Sequence, residues 1–111
     1  MPDVYAIWDG YPLWIELKVI TGNKVRLAPQ QVAWHIAHSR AGGLSFILVK
    51  RSKDRGLFLF EGCDGRSVAS EGVSCDLGSR PADLRAVFED MKAVSIRHWS
   101  NSLRPCGPAA Q

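Results

Sequence analysis

The sequence predicts a small α/β domain with elements in the order β-β-α-β-β-α. Three observations lead there. Short runs rich in β-branched and aromatic residues stand at 4–8, 13–19, 44–50 and 56–62. Between the second and third lies a stretch with a helix-start proline, Pro29, and a Gly42-Gly43 stop. After Pro81, Leu84, Val87, Phe88, Met91 and Val94 recur at helical spacing, which predicts a second amphipathic helix.

The first two strands, Val4–Trp8 and Leu13–Val19, flank Asp9-Gly10, a strong signal for a type I′ hairpin. With a two-residue turn, Trp8 faces Tyr11, Ile7 faces Pro12, Tyr5 faces Trp14 and Asp3 faces Glu16. Lys18 shares the parity of Glu16 and projects from the same face. Val4, Ala6, Leu13, Ile15 and Leu17 point the other way, where a helix can bury them. A four-residue loop through Tyr11-Pro12 would shift this register.

Gly22-Asn23 breaks the second strand. The helix that follows takes Ala28 as N-cap and runs to Arg40 or Ala41, with Gln31 placed at N3 to reach back and cap it. Gln31, His35 and His38 fall on one face of this helix, and the two histidines read as a plain solvated face. Trp34 and Ile36 read as core or interface. "LSFILVK" is nearly all apolar, as expected of a strand covered on both sides, and "GLFLFEG" pairs with it through a basic tip. Residues 62–80, rich in Gly, Ser and Asp, read mostly as loop, with a short strand fitting Ser67–Ser70. The boundaries expected are one domain over 1–98 and a flexible tail over 99–111.

A chain of 111 residues supports one domain, and 46% hydrophobic with 23% charged residues is an ordinary globular balance. No apolar run approaches the roughly 18 residues of a membrane span, and no basic-then-apolar leader opens the chain, so a cytoplasmic protein is expected. Cys63, Cys75 and Cys106 are odd in number and irregular in spacing. They read as free thiols in a reducing compartment rather than as a disulfide framework or zinc ribbon. The net charge of +3 suits a polyanionic partner without requiring one. "KRSKDR" concentrates Lys50, Arg51, Lys53 and Arg55 between two apolar runs, either as a solvated hairpin tip or, with Lys24 and Arg26, as phosphate contacts.

Two opposed carboxylates repel, and burial would drive one of them to protonate. A divalent cation removes the conflict, since Mg²⁺ is commonly held by one or two carboxylates plus substrate phosphates. Spacing alone equally permits an edge pair in which Asp3 frays into water and Glu16 bridges Lys18.

Pro2-Asp3 followed by Glu16-Leu17-Lys18 resembles the PD-(D/E)XK nuclease signature. The likeness is closest to the VRR-NUC branch of phage and bacterial proteins, because "LAPQQVAWHIAHSRAGGLSFILV" matches its helix motif, glycine stop and apolar strand. The resemblance implies a restriction-endonuclease-like mixed sheet, akin to Holliday-junction resolvases. It implies a metal-dependent nuclease hydrolysing phosphodiester bonds in DNA, structured or branched DNA included, with RNA left open. By the resemblance Asp3, Glu16 and the Leu17 carbonyl bind Mg²⁺ or Mn²⁺. Lys18 orients the attacking water and stabilises phosphate charge, and Gln31 lines the site. Members of the family carry a helix before the first strand, whereas here Met1 directly precedes Pro2 and Ala28 replaces a Ser or Thr cap. The expectation is a fold lacking that helix, a homodimer covering the sheet, and a home in a bacterial or phage-infected cell. The competing expectations are a non-catalytic nuclease-fold module that binds nucleic acid or protein, and a generic interaction domain with a chance motif.

Overall fold

The computed structural model describes residues 2–102. Four strands, β1 (Val4–Trp8), β2 (Tyr11–Ile20), β3 (Ser45–Arg51) and β4 (Gly56–Glu61), form one sheet in sequence order. β1–β2 and β3–β4 are antiparallel, while β2 and β3 run parallel around the crossover helix α1 (Pro29–Arg40). The sheet is therefore mixed. After β4 come α2 (Gly65–Glu71), flanked by two short 3₁₀ turns, and α3 (Leu84–Ser102).

The opening hairpin pairs as its turn chemistry dictates. Asp9 and Gly10 both take positive φ, 50° and 82°, and the ladder matches Trp8 with Tyr11 and Tyr5 with Trp14. α1 ends in a Schellman motif: the Gly43 N–H donates to the His38 carbonyl at 2.9 Å and the Gly42 N–H to Ser39 at 3.0 Å. These are local choices written in turn and cap residues.

The core lies on both faces of the sheet. On one face Leu13, Ile15, Phe46 and Leu59 pack against Val87 and Met91 of α3. On the other, Ile47, Val49, Phe58 and Phe60 pack against Val25, Val68 of α2 and Cys75. β3 contributes to both clusters, which explains its unbroken apolar run. Asp83 caps α3 by accepting the Ala86 N–H at 2.9 Å.

Four expectations need correction. Residues 62–80 hold the helix α2 rather than a loop, and Ser67–Ser70 is helical, so the order gains a helix before the last one. Val68, fully buried under the sheet, is what makes this glycine- and serine-rich segment fold as a helix. Leu17 does not bury against a helix: α3 covers the Leu13–Ile15 end of β2, leaving Leu17 46% and Val19 74% exposed. Leu84 and Phe88 of α3 are likewise exposed, Phe88 stacking on Trp8 at 5.1 Å. Finally, α3 continues through Ser102 into the stretch assigned to the tail, and Trp99 packs against the core. Residues 103–111, including Cys106, lie outside the described residues. Cys63 and Cys75 are free thiols.

Candidate active site

β2 is the spine of the site. Its even-numbered residues Trp14, Glu16 and Lys18 project from the face that α1 covers, at the two-residue repeat of a strand. The ladder with β1 ends at Val4–Ile15, and Asp3 lies just beyond it. Its Oδ2 accepts the Leu17 backbone N–H at 2.8 Å, which holds this exposed carboxylate against β2 beside Glu16.

α1 supplies the third side. Gln31, in its first turn, bridges three groups. Its Oε1 accepts the Ala28 N–H at 2.9 Å and Lys18 Nζ at 3.2 Å, and its Nε2 donates to Glu16 Oε2 at 3.2 Å. The capping expected of Gln31 and its place in the site are thus one arrangement.

The solvated reading of His35 is overturned. His35 is fully buried, with Nε2 3.4 Å from Glu16 Oε1 and Nδ1 2.7 Å from Ser45 Oγ. Burial, then the nearby His38, lowers its pKa from 6.5 to about 4, so the ring is neutral at pH 7. The partners assign the tautomer: Nε2–H donates to the Glu16 carboxylate, and Nδ1 accepts the Ser45 hydroxyl. His38 is partly buried and stacks on Trp34 with centroids 4.7 Å apart. Nothing in the helical periodicity separated His35 from His38. The one usable signal was that the sheet face beneath α1 already held a carboxylate in need of a donor.

Glu16 is 2% exposed. Burial, and after it the charge of Asp3, raises its carboxyl above the ordinary value, while Lys18 pulls the other way. The pair is therefore frustrated in the way opposed carboxylates must be. Compared with family models, with curated proteins and with solved structures, the chain finds no match. Its chemistry rests on its own residues.

Among the described residues, no three or more His, Cys, Asp or Glu side chains group together as a metal cage. Mg²⁺ needs less, since it keeps several waters and takes one or two carboxylates plus substrate phosphates. Two neighbouring carboxylates, Asp3 and Glu16, with Lys18 beside them fit that demand. The Leu17 side chain projects away from the site on the opposite face, and its N–H is engaged by Asp3.

The basic residues divide into two sets. Lys18, Lys24 and Arg26 line a groove of about 630 Å³ and a second one of about 530 Å³, and the second also takes in Gln31 of the site. Arg51 is committed elsewhere. Its guanidinium grips Asp54 through two bonds of 3.1 and 2.8 Å, holds Asn23 Oδ1 at 2.5 Å and lies over the Phe58 ring. Asp54, paired first with Arg51 and then with the Gly56 N–H, is held down to about 2. Arg51 thus ties the hairpin tip to the loop after β2, aided by the Ser52 N–H on the Ile20 carbonyl at 2.8 Å. Lys50 pairs with Val19, which puts it on the α3 face. Lys53 and Arg55 are exposed at the tip.

Behind the site, Gly62 packs so closely that an added Cβ would overlap Ser45 Oγ and His35 Nδ1. Gly62→Ala is expected to destabilise the protein by about 1–3 kcal/mol, because the overlap must break the Ser45–His35 bond or shift the 3₁₀ turn. Urea unfolding of the variant checks this. Unchanged stability would mean that the turn yields freely.

Proposed function

We propose that this chain is a metal-dependent nuclease of the PD-(D/E)XK type, hydrolysing phosphodiester bonds in DNA. The observation that carries the reading is the convergence of Asp3, Glu16, Lys18 and Gln31 on one sheet face beside a basic groove. A generic interaction domain has no use for a buried carboxylate opposed to another and bridged to a lysine through an amide.

In this reading Asp3 and Glu16 hold Mg²⁺ or Mn²⁺. The ion, when bound, polarises the phosphoryl oxygen and lowers the pKa of its water. Lys18, restrained by Gln31 Oε1, presents its ammonium where negative charge builds on the phosphate. Gln31 keeps Glu16 and Lys18 in register and prevents them from collapsing into a simple ion pair. His35 fixes the other Glu16 oxygen from behind, as outer partners of metal-binding carboxylates do. The exposed Leu17 and Val19 face is where a second copy of the chain would pack.

Lys24 and Arg26 are the phosphate contacts this reading favours. The double variant Lys24→Ala/Arg26→Ala is expected to weaken DNA binding across all sequences and to flatten the salt dependence by about one unit of slope per residue. Lys50→Ala should change the slope far less. Binding isotherms at several salt concentrations decide between the two, and equal effects would remove the groove from the DNA path. The defining test is a cleavage assay on plasmid, single strands and a four-way junction, with Mg²⁺, Mn²⁺ or EDTA. Binding without metal-dependent cutting in any of them would favour the non-catalytic module.

A further inference from the structure

The site face of the opening hairpin is chemically divided. Asp3, Glu16 and Lys18 occupy one end, and Tyr5 and Trp14 follow one repeat further along their strands. That step is two residues, roughly 7 Å. Tyr5 and Trp14 lie with ring centroids 4.6 Å apart, and Trp14 meets Trp34 of α1 edge-on at 5.8 Å. Packing of α1 on the sheet accounts for Trp14 and Trp34, which are partly buried. It does not account for Tyr5, which is 51% exposed at the edge of the sheet, or for Ile7 beyond it at 65%.

The aromatic pair and the basic groove lie on opposite sides of the carboxylates. Lys18, Lys24 and Arg26 line the groove on one side, and Tyr5 offers its ring on the other. This is the combination by which proteins hold single strands: cations follow the backbone and aromatic rings stack the bases. Inside a duplex each base has its faces covered by its neighbours, so only an unpaired base can offer a face to Tyr5.

We propose, resting on the nuclease reading above, that Tyr5 backed by Trp14 is a stacking platform for an unpaired nucleobase beside the scissile phosphate. The substrate then presents a single-stranded segment at the point of cleavage. DNA and RNA share the base chemistry, so both are tested.

The test measures binding of the full chain in EDTA by fluorescence anisotropy. The probes are a short dT oligomer, the same oligomer with its central nucleotides abasic, an rU oligomer, and a duplex of equal length. The wild type should bind dT about tenfold more tightly than the abasic strand, whose phosphates are unchanged. Tyr5→Ala should erase that difference and Tyr5→Phe should retain it. Tighter binding of dT than rU would assign the platform to DNA, and the reverse to RNA. Equal binding of intact and abasic strands by the wild type would overturn the platform, as would a difference that persists in Tyr5→Ala. A wild-type dimer that dissociates in Tyr5→Ala, with no base dependence, would assign this face to a second copy and also overturn it. Plasmid cleavage measured in parallel separates the two readings. Cutting without base dependence removes only the platform, whereas base-dependent binding without cutting keeps the platform and removes the nuclease.

Discussion

Glu16→Gln is expected to lower Mg²⁺-dependent DNA cleavage by about 10³-fold or more while leaving the fold intact. Its carboxylate is one of two that would hold the ion, and several kcal/mol of transition-state charge stabilisation depend on that ion. The amide is nearly isosteric: its oxygen still accepts from Gln31 Nε2, and its NH2 donates to His35 Nε2 once the ring switches tautomer and its Nδ1–H donates to Ser45 Oγ. Because burial and Asp3 already disfavour the charged form of Glu16, removing the charge should leave the metal-free protein at least as stable. Asp3→Asn should act in the same direction. The measurements are plasmid cleavage with and without EDTA and urea unfolding of each variant. If activity and stability fall together, the acids are structural and the catalytic assignment fails.

His35→Ala should produce the largest loss of stability among the site residues, about 3–5 kcal/mol. It opens a cavity in a fully buried position and strands the Ser45 hydroxyl and one Glu16 oxygen without their partner. For a domain of this size the melting temperature should fall by 10 °C or more. The effect carries a pH signature. The folded state lowers the His35 pKa from 6.5 to about 4, so the stability this ring contributes is fully present above 6.5. It is lost as pH falls toward 4, because the unfolded chain then takes up a proton that folded His35 refuses. Over that window the gap between wild type and His35→Ala should narrow by up to about 3 kcal/mol. Glu16 works in the opposite sense: its folded carboxyl is raised and takes up a proton first, which offsets part of the wild-type loss. The loss should therefore be steeper in Glu16→Gln. Urea midpoints from pH 7 to 4 in EDTA measure all three, and a gap that stays constant would mean that His35 titrates normally.

Much of the architecture was legible because it is written locally. Asp9-Gly10 sets a type I′ turn, and that turn sets the register that brings Asp3 beside Glu16. Pro29 and Gly42-Gly43 bound α1, and the unbroken apolar run of β3 announces a strand covered on both faces. In each case a few neighbouring residues suffice, since backbone angles and side-chain parity do not depend on distant partners. The juxtaposition of Gln31 with Lys18 and Glu16 went a step further, resting on a family likeness as well as on parity.

What only the tertiary structure decided concerns groups whose state depends on what packs over them. The segment around Val68 is interrupted by Gly62, Gly65, Ser67, Ser70 and Gly72, and it becomes α2 because the sheet offers Val68 a buried seat. Leu17 has core parity yet stays half exposed, because α3 reaches only one end of β2. Arg51 looked like a phosphate contact until Asp54 and Asn23 claimed its guanidinium. His35 carries the same lesson inside the site. A polar helix face reads as solvent-facing only if the opposing surface is apolar, and here the opposing strand holds Glu16. Turns, caps and strand parity are local properties and so belong to the sequence. Burial, and with it pairing and protonation, is set by which surface arrives from elsewhere in the chain.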